Sequence, residues 1–204
     1  MKIFDISLPL DEKTPIYPGN PELKIVPKRG ATSTHSEITI GSHTGTHLDA
    51  PSHVFAKGTS IDKIPLDNFY GKCRVLDMTH CKEFVGVDDL IKSKVKNSER
   101  ILLKTKNSLR GFKKFHETYV YLHGDAAEFL AKLNVKIVGI DSLSIKKRGS
   151  KDTRPHDALL KQKIPILEGI NLKKIPKGKY TLICFPLALV GIDGSPARAV
   201  LLEK

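Results

Sequence analysis

The sequence predicts one mixed α/β domain. Three observations support this prediction: apolar runs of strand length recur along the chain, segments with helical periodicity lie between them, and 204 residues suit one domain with a substantial core. Strands separated by helices of unequal length are typical of mixed α/β folds. The prediction assigns residues 1–204 to a single domain.

Strand-like segments occur from the beginning of the chain to its end. Short apolar runs bounded by turn residues are typical of strands. A Pro/Gly-rich loop, TPIYPGNPE (14–22), separates the first two. The predicted strands are MKIFDISLPL (1–10), LKIVPKR (23–29), SEITIGS (36–42), CRVLDMT (73–79), RILLKT (100–105), KIVGIDSLS (136–144), YTLICFPLALV (180–190) and ARAVLLEK (197–204).

Three segments have the features of helices. GDAAEFLAKLNV (124–135) places its apolar residues on one helical face, and Asp125 is the predicted N-cap. VDDLIKSKV (87–95) begins with aspartates and ends with lysines, which complements the helix dipole. DALLKQK (157–163) is also helix-like.

Composition excludes several classes of protein. The net charge is +12, but the lysines are spread along the chain without a basic stripe interleaved with aromatic residues, so we expect no nucleic-acid partner. A basic surface would instead attract an anionic small molecule. No apolar run reaches membrane-spanning length and the N-terminus does not resemble a signal peptide, so we expect a cytoplasmic protein with no membrane partner. Three scattered cysteines argue against a disulfide framework.

The stretch GSHTGTHLDAPSH (41–53) carries the strongest functional signal. It holds His43, His47, Asp49 and His53. A helix of the HExxH type is unfavourable, because two threonines and a glycine separate the first two histidines and no glutamate follows the first. All four positions share parity, so on a strand they face one side. The intervening glycine allows the bend that would bring the first two histidines together.

This residue set predicts a metal site. Imidazole and carboxylate suit zinc, manganese, iron, cobalt or nickel, and the two oxygens of Asp49 can bridge two ions. Two distant candidates for further ligands are His156 and Glu168. Glu168 lies in the apolar run IPILEGI, where a lone carboxylate is costly unless it is protonated, paired or bound to a metal. His156 follows a proline and precedes the helix-like DALLKQK.

With these residues in view, the sequence resembles the metal-dependent cyclase family that includes bacterial kynurenine formamidase. The family motif HxGTHxDxPxH is complete here as HTGTHLDAPSH (43–53). The resemblance implies a single α/β domain with a mixed, curled, barrel-like sheet flanked by helices, of the swivelling β/β/α type. Other segments that look like the family are FDISLPL (4–10), VGIDSLSI (138–145), ILEGINL (166–172) and PLALVGIDGSPARAVL (186–201).

The resemblance also implies roles for the site residues. Asp49 would bridge two ions, and Glu168 would be able to touch both. His53 would not bind metal but would donate and accept protons. Zinc is the expected metal, as one or two ions, with manganese as the alternative, and the expected assembly is a dimer or a tetramer. The implied metal ligands are His43, His47, Asp49, His156 and Glu168.

The expected activity is hydrolysis of a small amide by metal-activated water, as in an arylformamidase acting on N-formylkynurenine or a related formamide. A metal lowers the pKa of bound water to about 7, and a histidine, with an ordinary pKa of about 6.5, suits protonation of the leaving nitrogen. Three alternatives stay open: hydrolysis of a cyclic amide such as isatin, a non-hydrolytic metal-assisted cyclase or dehydratase, and a binding module with a structural metal. One departure from the family is the unusually basic segment KKRGSKDTR (146–154).

Overall fold

A mixed sheet of nine strands lies at the centre of the computed structural model, which describes residues 1–203. Four helices accompany it: α1 (Val87–Lys92), α2 (Lys106–Arg110), α3 (Gly124–Lys132) and α4 (Arg154–Lys161). The strands of the described chain are β1 (Lys2–Asp5), β2 (Lys24–Arg29), β3 (Thr34–Thr39), β4 (His47–Asp49), β5 (Tyr70–Asp77), β6 (Phe84–Val85), β7 (Arg100–Lys104), β8 (Tyr121–Leu122), β9 (Ile137–Ile140), β10 (Ile166–Glu168), β11 (Gly178–Ile183), β12 (Gly194–Pro196) and β13 (Val200–Glu203).

The strand order of the central sheet is β1-β13-β11-β5-β7-β9-β10-β4-β12. The four middle strands, β5, β7, β9 and β10, run parallel to one another, and the strands on both sides of them pair antiparallel. The sheet curls into a half-barrel, as the resemblance implies. The short pairs β2–β3 and β6–β8 form two small separate sheets.

The two faces of the sheet bury different clusters. On β7, Ile101 and Leu103 point to a cluster that includes residues of α3 and α4, whereas Leu102 points to the opposite cluster. That second cluster includes Leu48, Leu182 and residues of other strands, so the curled sheet encloses apolar side chains of its own. A strand that is buried on both faces needs a continuous apolar run, which explains why β7 lacks alternation.

Two helix boundaries differ from the predictions. The N-cap of α3 is His123, which has an extended backbone and whose Nδ1 accepts a hydrogen bond from the Asp125 N–H, so the prediction of Asp125 as N-cap was wrong. Asp125 lies within the first turn, and its carboxylate is the partner of Arg154. Helix α4 begins before the segment predicted for it, with Pro155 in its first turn, so His156 lies on the helix.

The predicted strands at 23–29 and 36–42 pair with each other rather than with the main sheet. They form the hairpin β2–β3, in which Ile25 is opposite Ile38. Every residue of the two strands is exposed, and Ile38 retains 59% of its accessible surface. The alternation in SEITI therefore does not mark a face buried within this chain. Across residues 1–203, no helix has both the length and the apolar character needed to cross a membrane.

Candidate active site

The site is built on β4, a strand of three residues between β10 and β12. Side chains alternate along a strand, so His47 and Asp49 share one face while Leu48 enters the core. In the antiparallel register His47 lies opposite Glu168 of β10. Their atoms Nε2 and Oε2 are therefore only 3.3 Å apart.

A turn before β4 brings His43 back to the strand. Gly45, at the turn, has a φ of +63°, in the left-handed region that favours glycine, and it supplies the bend expected from the sequence. His43 Nδ1 then lies 2.7 Å from Asp49 Oδ1. The Gly45 carbonyl is 3.0 Å from His47 Nδ1, which must donate to it, so Nε2 is the ring nitrogen that faces the carboxylates of Asp49 and Glu168.

Two further elements complete the cluster. His156, in the first turn of α4, has its Nε2 3.5 Å from Glu168 Oε1 and 3.8 Å from Asp49 Oδ2. His53 follows β4 on the 3-10 turn Pro51–His53, and its ring centroid is 4.1 Å from that of His43. The structure thus brings the six residues selected from the sequence into one cluster, and their individual roles stay predictions.

The cluster fits a divalent metal. Asp49 Oδ2 is buried and has no hydrogen-bond partner among residues 1–203. A buried carboxylate oxygen without a partner is costly, and a cation would remove that cost. Asp49 also belongs to two triplets whose ligand atoms lie within 4.8 Å of one another, one with His43 and His53 and the other with His47 and Glu168. The shared carboxylate agrees with one ion or with a bridged pair.

The electrostatics favour an ionised Glu168 and a charged His43. Burial acts to raise the pKa of Glu168, but hydrogen bonds with His156 and His47 outweigh burial and lower it. Burial likewise acts to lower the pKa of His43, but its contacts with Asp49 and Asp193 raise this pKa to about 9. Because a metal ligand must be deprotonated, a cation bound at His43 would displace a proton.

Asp193 is a site residue that sequence reasoning missed. It immediately precedes β12, and its Oδ2 lies 2.7 Å from His43 Nε2 and 3.4 Å from His53 Nδ1. Burial acts to raise its pKa, but the hydrogen bond with His43 lowers it to about 2. The available signal was a lone aspartate in the apolar stretch ALVGIDG. With both nitrogens of His43 facing carboxylates, a ligand role for His43 requires one of these contacts to open.

The cluster opens into a cleft of about 520 Å³. Its histidines and Glu168 form one part of the wall, and the remainder combines apolar and charged side chains. A volume of this size suits a small molecule. Other parts of the wall are formed by Tyr17, Val54, Leu143, Lys146 and Asp157.

Comparisons with known proteins agree with this fold. The family model described as "Putative cyclase" matches residues 4–147. The kynurenine formamidase of Salinibacter ruber is 35% identical over 206 residues, which cover 98% of this chain and 97% of the relative.

Solved structures show the same architecture. One described as a "Potential Metal-Dependent Hydrolase With Cyclase Activity" has a TM-score of 0.89 and 35% identity, covering 98% of this chain and 96% of the other. Isatin hydrolase A from Ralstonia solanacearum has a TM-score of 0.85 over 99% of this chain and 92% of its own, but at 23% identity this likeness concerns the fold alone. The family model and the full-length similarity to a curated relative, together with the sequence motif, show that the chain belongs to the cyclase family.

Proposed function

We propose that this chain is a metal-dependent hydrolase that cleaves the C–N bond of a small amide, and that its substrate is an arylformamide such as N-formylkynurenine. The observation that carries the proposal is Oδ2 of Asp49, which is buried and has no hydrogen-bond partner in the described chain. Asp49 is also the residue shared by the two triplets of ligand-capable side chains. The full-length similarity to a kynurenine formamidase supports the choice of an arylformamide.

The proposed metal is zinc, with manganese as the alternative, because imidazole and carboxylate ligands suit both. When bound, the metal supplies Lewis acidity, which polarises a carbonyl and lowers the pKa of water. The proposed ligands are His43, His47, Asp49, His156 and Glu168.

His53 is the proposed proton donor. Its side chain retains 31% of its accessible surface, and its Nδ1 faces the Asp193 carboxylate at 3.4 Å, so its Nε2 is available to substrate. Water adds to the formyl carbon, the C–N bond breaks, and a proton from His53 passes to the leaving nitrogen. Asp193 orients the ring. The products are formate, an aryl amine and one proton. Of the two protons of the water, one returns to His53 and the other is released, so atoms and charge balance.

The wall of the cleft would orient the aryl group. Tyr17, Val54 and Leu143 give it an apolar part, and the Tyr17 ring is held by an edge contact with Phe115 at 5.3 Å between centroids. An apolar surface beside the reacting carbonyl positions the substrate and excludes solvent. This arrangement supports an aromatic amide as the substrate.

The test is hydrolysis of N-formylkynurenine and of isatin, in parallel, by protein that is untreated, chelated, and reloaded with zinc or manganese. We expect formamide hydrolysis that chelation abolishes and metal restores, with one oxygen of labelled water in the formate. Turnover of isatin alone would favour the cyclic-amide alternative. Turnover without labelled oxygen would favour a cyclase or dehydratase, and bound metal without any turnover would favour a structural metal.

We also propose that the chain assembles as a homo-oligomer, a dimer or a tetramer. The support is the hairpin β2–β3, whose Ile25 and Ile38 are cross-strand neighbours and lie exposed. Exposed apolar residues on a two-stranded sheet promote aggregation unless another protein surface covers them.

A further inference from the structure

We propose that the cleft selects amides that carry an α-amino acid group, with Lys146 binding the substrate carboxylate and Asp157 binding its ammonium. This inference rests on the hydrolase function proposed above and narrows its substrate class. It concerns two opposite charges in the wall of the cleft that the hydrolytic reaction itself does not use.

Lys146 is a cation without a partner. It lines the cleft and is half-buried, and its ammonium forms no ion pair or hydrogen bond with any side chain or carbonyl in residues 1–203. The next two residues differ from it: Lys147 pairs with Glu83, and Arg148 pairs with Glu117. A half-buried ammonium without a counter-charge is suited to an anionic group of the substrate.

The position of Lys146 is fixed relative to the reacting centre. The Tyr119 hydroxyl donates to the Lys146 carbonyl at 2.6 Å, and the N–H of Ile145 donates to Glu168 Oε1 at 2.6 Å. The loop that carries Lys146 is therefore hydrogen-bonded to a carboxylate of the metal cluster itself.

Asp157 supplies the opposite charge. It follows His156 on α4, lines the same cleft and is half-buried. Its carboxylate has no ion-pair or hydrogen-bond partner within the described chain, and it does not pair with Lys146. Helix α4 thus places His156 in the metal cluster and Asp157 in the wall of the cleft.

A zwitterion satisfies both charges at once. A neutral ring such as isatin would leave Lys146 and Asp157 uncompensated, and an anion without an amine would satisfy only the first. Unpaired polar groups in a pocket discriminate strongly against a ligand that lacks the matching group. An amino acid attached to the aryl formamide is therefore the class that the cleft fits.

Three substrates with the same reacting formamide separate the two contacts. They are N-formylkynurenine, which is a zwitterion, its methyl ester, which keeps only the ammonium, and 2-formamidoacetophenone, which is neutral. We would measure kcat/KM on zinc-loaded protein for the wild type, Lys146→Met and Asp157→Asn. Lys151→Met is the matched control, since Lys151 is an exposed lysine on the same loop.

Each variant has its own expected pattern. Lys146→Met should lower kcat/KM for the zwitterion by about tenfold or more through a raised KM, and it should leave the ester and the neutral ketone unchanged. Asp157→Asn should lower kcat/KM for the zwitterion and the ester by about tenfold, again sparing the ketone. Lys146→Arg should restore most of the activity on the zwitterion, and Lys151→Met should leave all three substrates unchanged.

Other patterns overturn the proposal. If Lys146→Met or Asp157→Asn lowered kcat/KM equally for all three substrates, the residue would maintain the structure of the site and would not bind a charged group of the substrate. Wild-type protein that hydrolyses the neutral ketone as well as the zwitterion would refute the substrate class and leave the hydrolase function standing. Hydrolysis of none of the three would refute the proposed arylformamidase function, and the charge contacts with it.

Discussion

The carboxylate of Asp193 lies 2.7 Å from Nε2 of His43, although 150 positions of sequence separate the two residues. The contact exists because β12 pairs with β4, with Gly194 opposite Asp49. The same carboxylate oxygen faces His53. One residue at the end of the chain therefore orients two histidines of a motif near its beginning.

We expect Asp193→Asn to lower kcat for N-formylkynurenine by about tenfold to a hundredfold, as is typical when the hydrogen-bond partner of a site histidine is lost. The amide can still contact His53, but it no longer carries the negative charge that faces both histidines. Steady-state kinetics and elemental analysis of the same sample would test this, with Asp88→Asn, at an exposed position, as the control. Wild-type kcat in Asp193→Asn would show that the carboxylate has no part in orienting the histidines.

The substitution His53→Ala should separate proton transfer from metal binding. We expect kcat to fall by about a hundredfold to ten-thousandfold, the usual contribution of a general acid, while the metal content stays that of the wild type. His43→Ala, in contrast, should lower the metal content. Because His53 also belongs to one group of ligand-capable residues, loss of metal in His53→Ala would reassign it as a ligand.

The sequence predicts the local part of this site better than the long-range part. The motif residues from His43 to His53 lie within a short stretch, so their spacing and the glycine bend predict a cluster directly. His156 and Glu168 were weak candidates by spacing alone, because their approach depends on the position of α4 and on the pairing of β10 with β4. The resemblance to the family supplied that information.

The remaining differences have similar physical causes. The main-sheet strands with continuous apolar runs were predictable because burial on both faces leaves a strong pattern, as on β7. Strand β4 has only three residues, and its neighbours β10 and β12 are distant in sequence, so no local pattern reveals its register. Asp193 was missed for that reason. The N-cap at His123 was missed because aspartate is a commoner cap than histidine.

Gly194 is expected to be required for the approach of His43. A Cβ at this position would lie 2.7 Å from Cε1 of His43 and 2.7 Å from the Leu48 carbonyl oxygen. Gly194→Ala should therefore displace the ring, lower kcat/KM and destabilise the fold by about 1–3 kcal/mol, as overpacking does. Thermal unfolding and kinetics would measure both effects. Gly30→Ala is the control, because a Cβ at that position would lie an ordinary 3.4 Å from the Ser33 carbonyl oxygen. Equal behaviour of the two variants would contradict the steric argument.

The hairpin β2–β3 should carry a contact between copies of the chain. We expect the wild type to have the mass of a dimer or a tetramer by light scattering, and the double variant Ile25→Lys/Ile38→Lys to shift toward the monomer, since two adjacent charges would oppose burial of that face. Lys28→Ala/Glu37→Ala, which removes the exposed ion pair of the same hairpin, is the control. A monomeric wild type would refute the proposed assembly.

Metal removal should destabilise the fold, and Asp49 should carry much of that effect. A ligand that binds only the native state at about a thousand times its Kd adds about 4 kcal/mol, which corresponds to a rise in Tm on the order of 10 °C for a chain of this size. We expect chelation to lower the Tm of the wild type by such an amount and zinc to restore it. Asp49→Asn makes this carboxylate, whose Oδ2 has no hydrogen-bond partner in the described chain, a neutral amide, which weakens cation binding and also removes the cost of burying that charged oxygen. Its Tm should therefore respond little to chelator or zinc.

If neither chelator nor zinc changed the Tm of the wild type, a metal at this cluster would be refuted. If the Tm of Asp49→Asn shifted as much as that of the wild type, the metal would stand but Asp49 would not be one of its ligands.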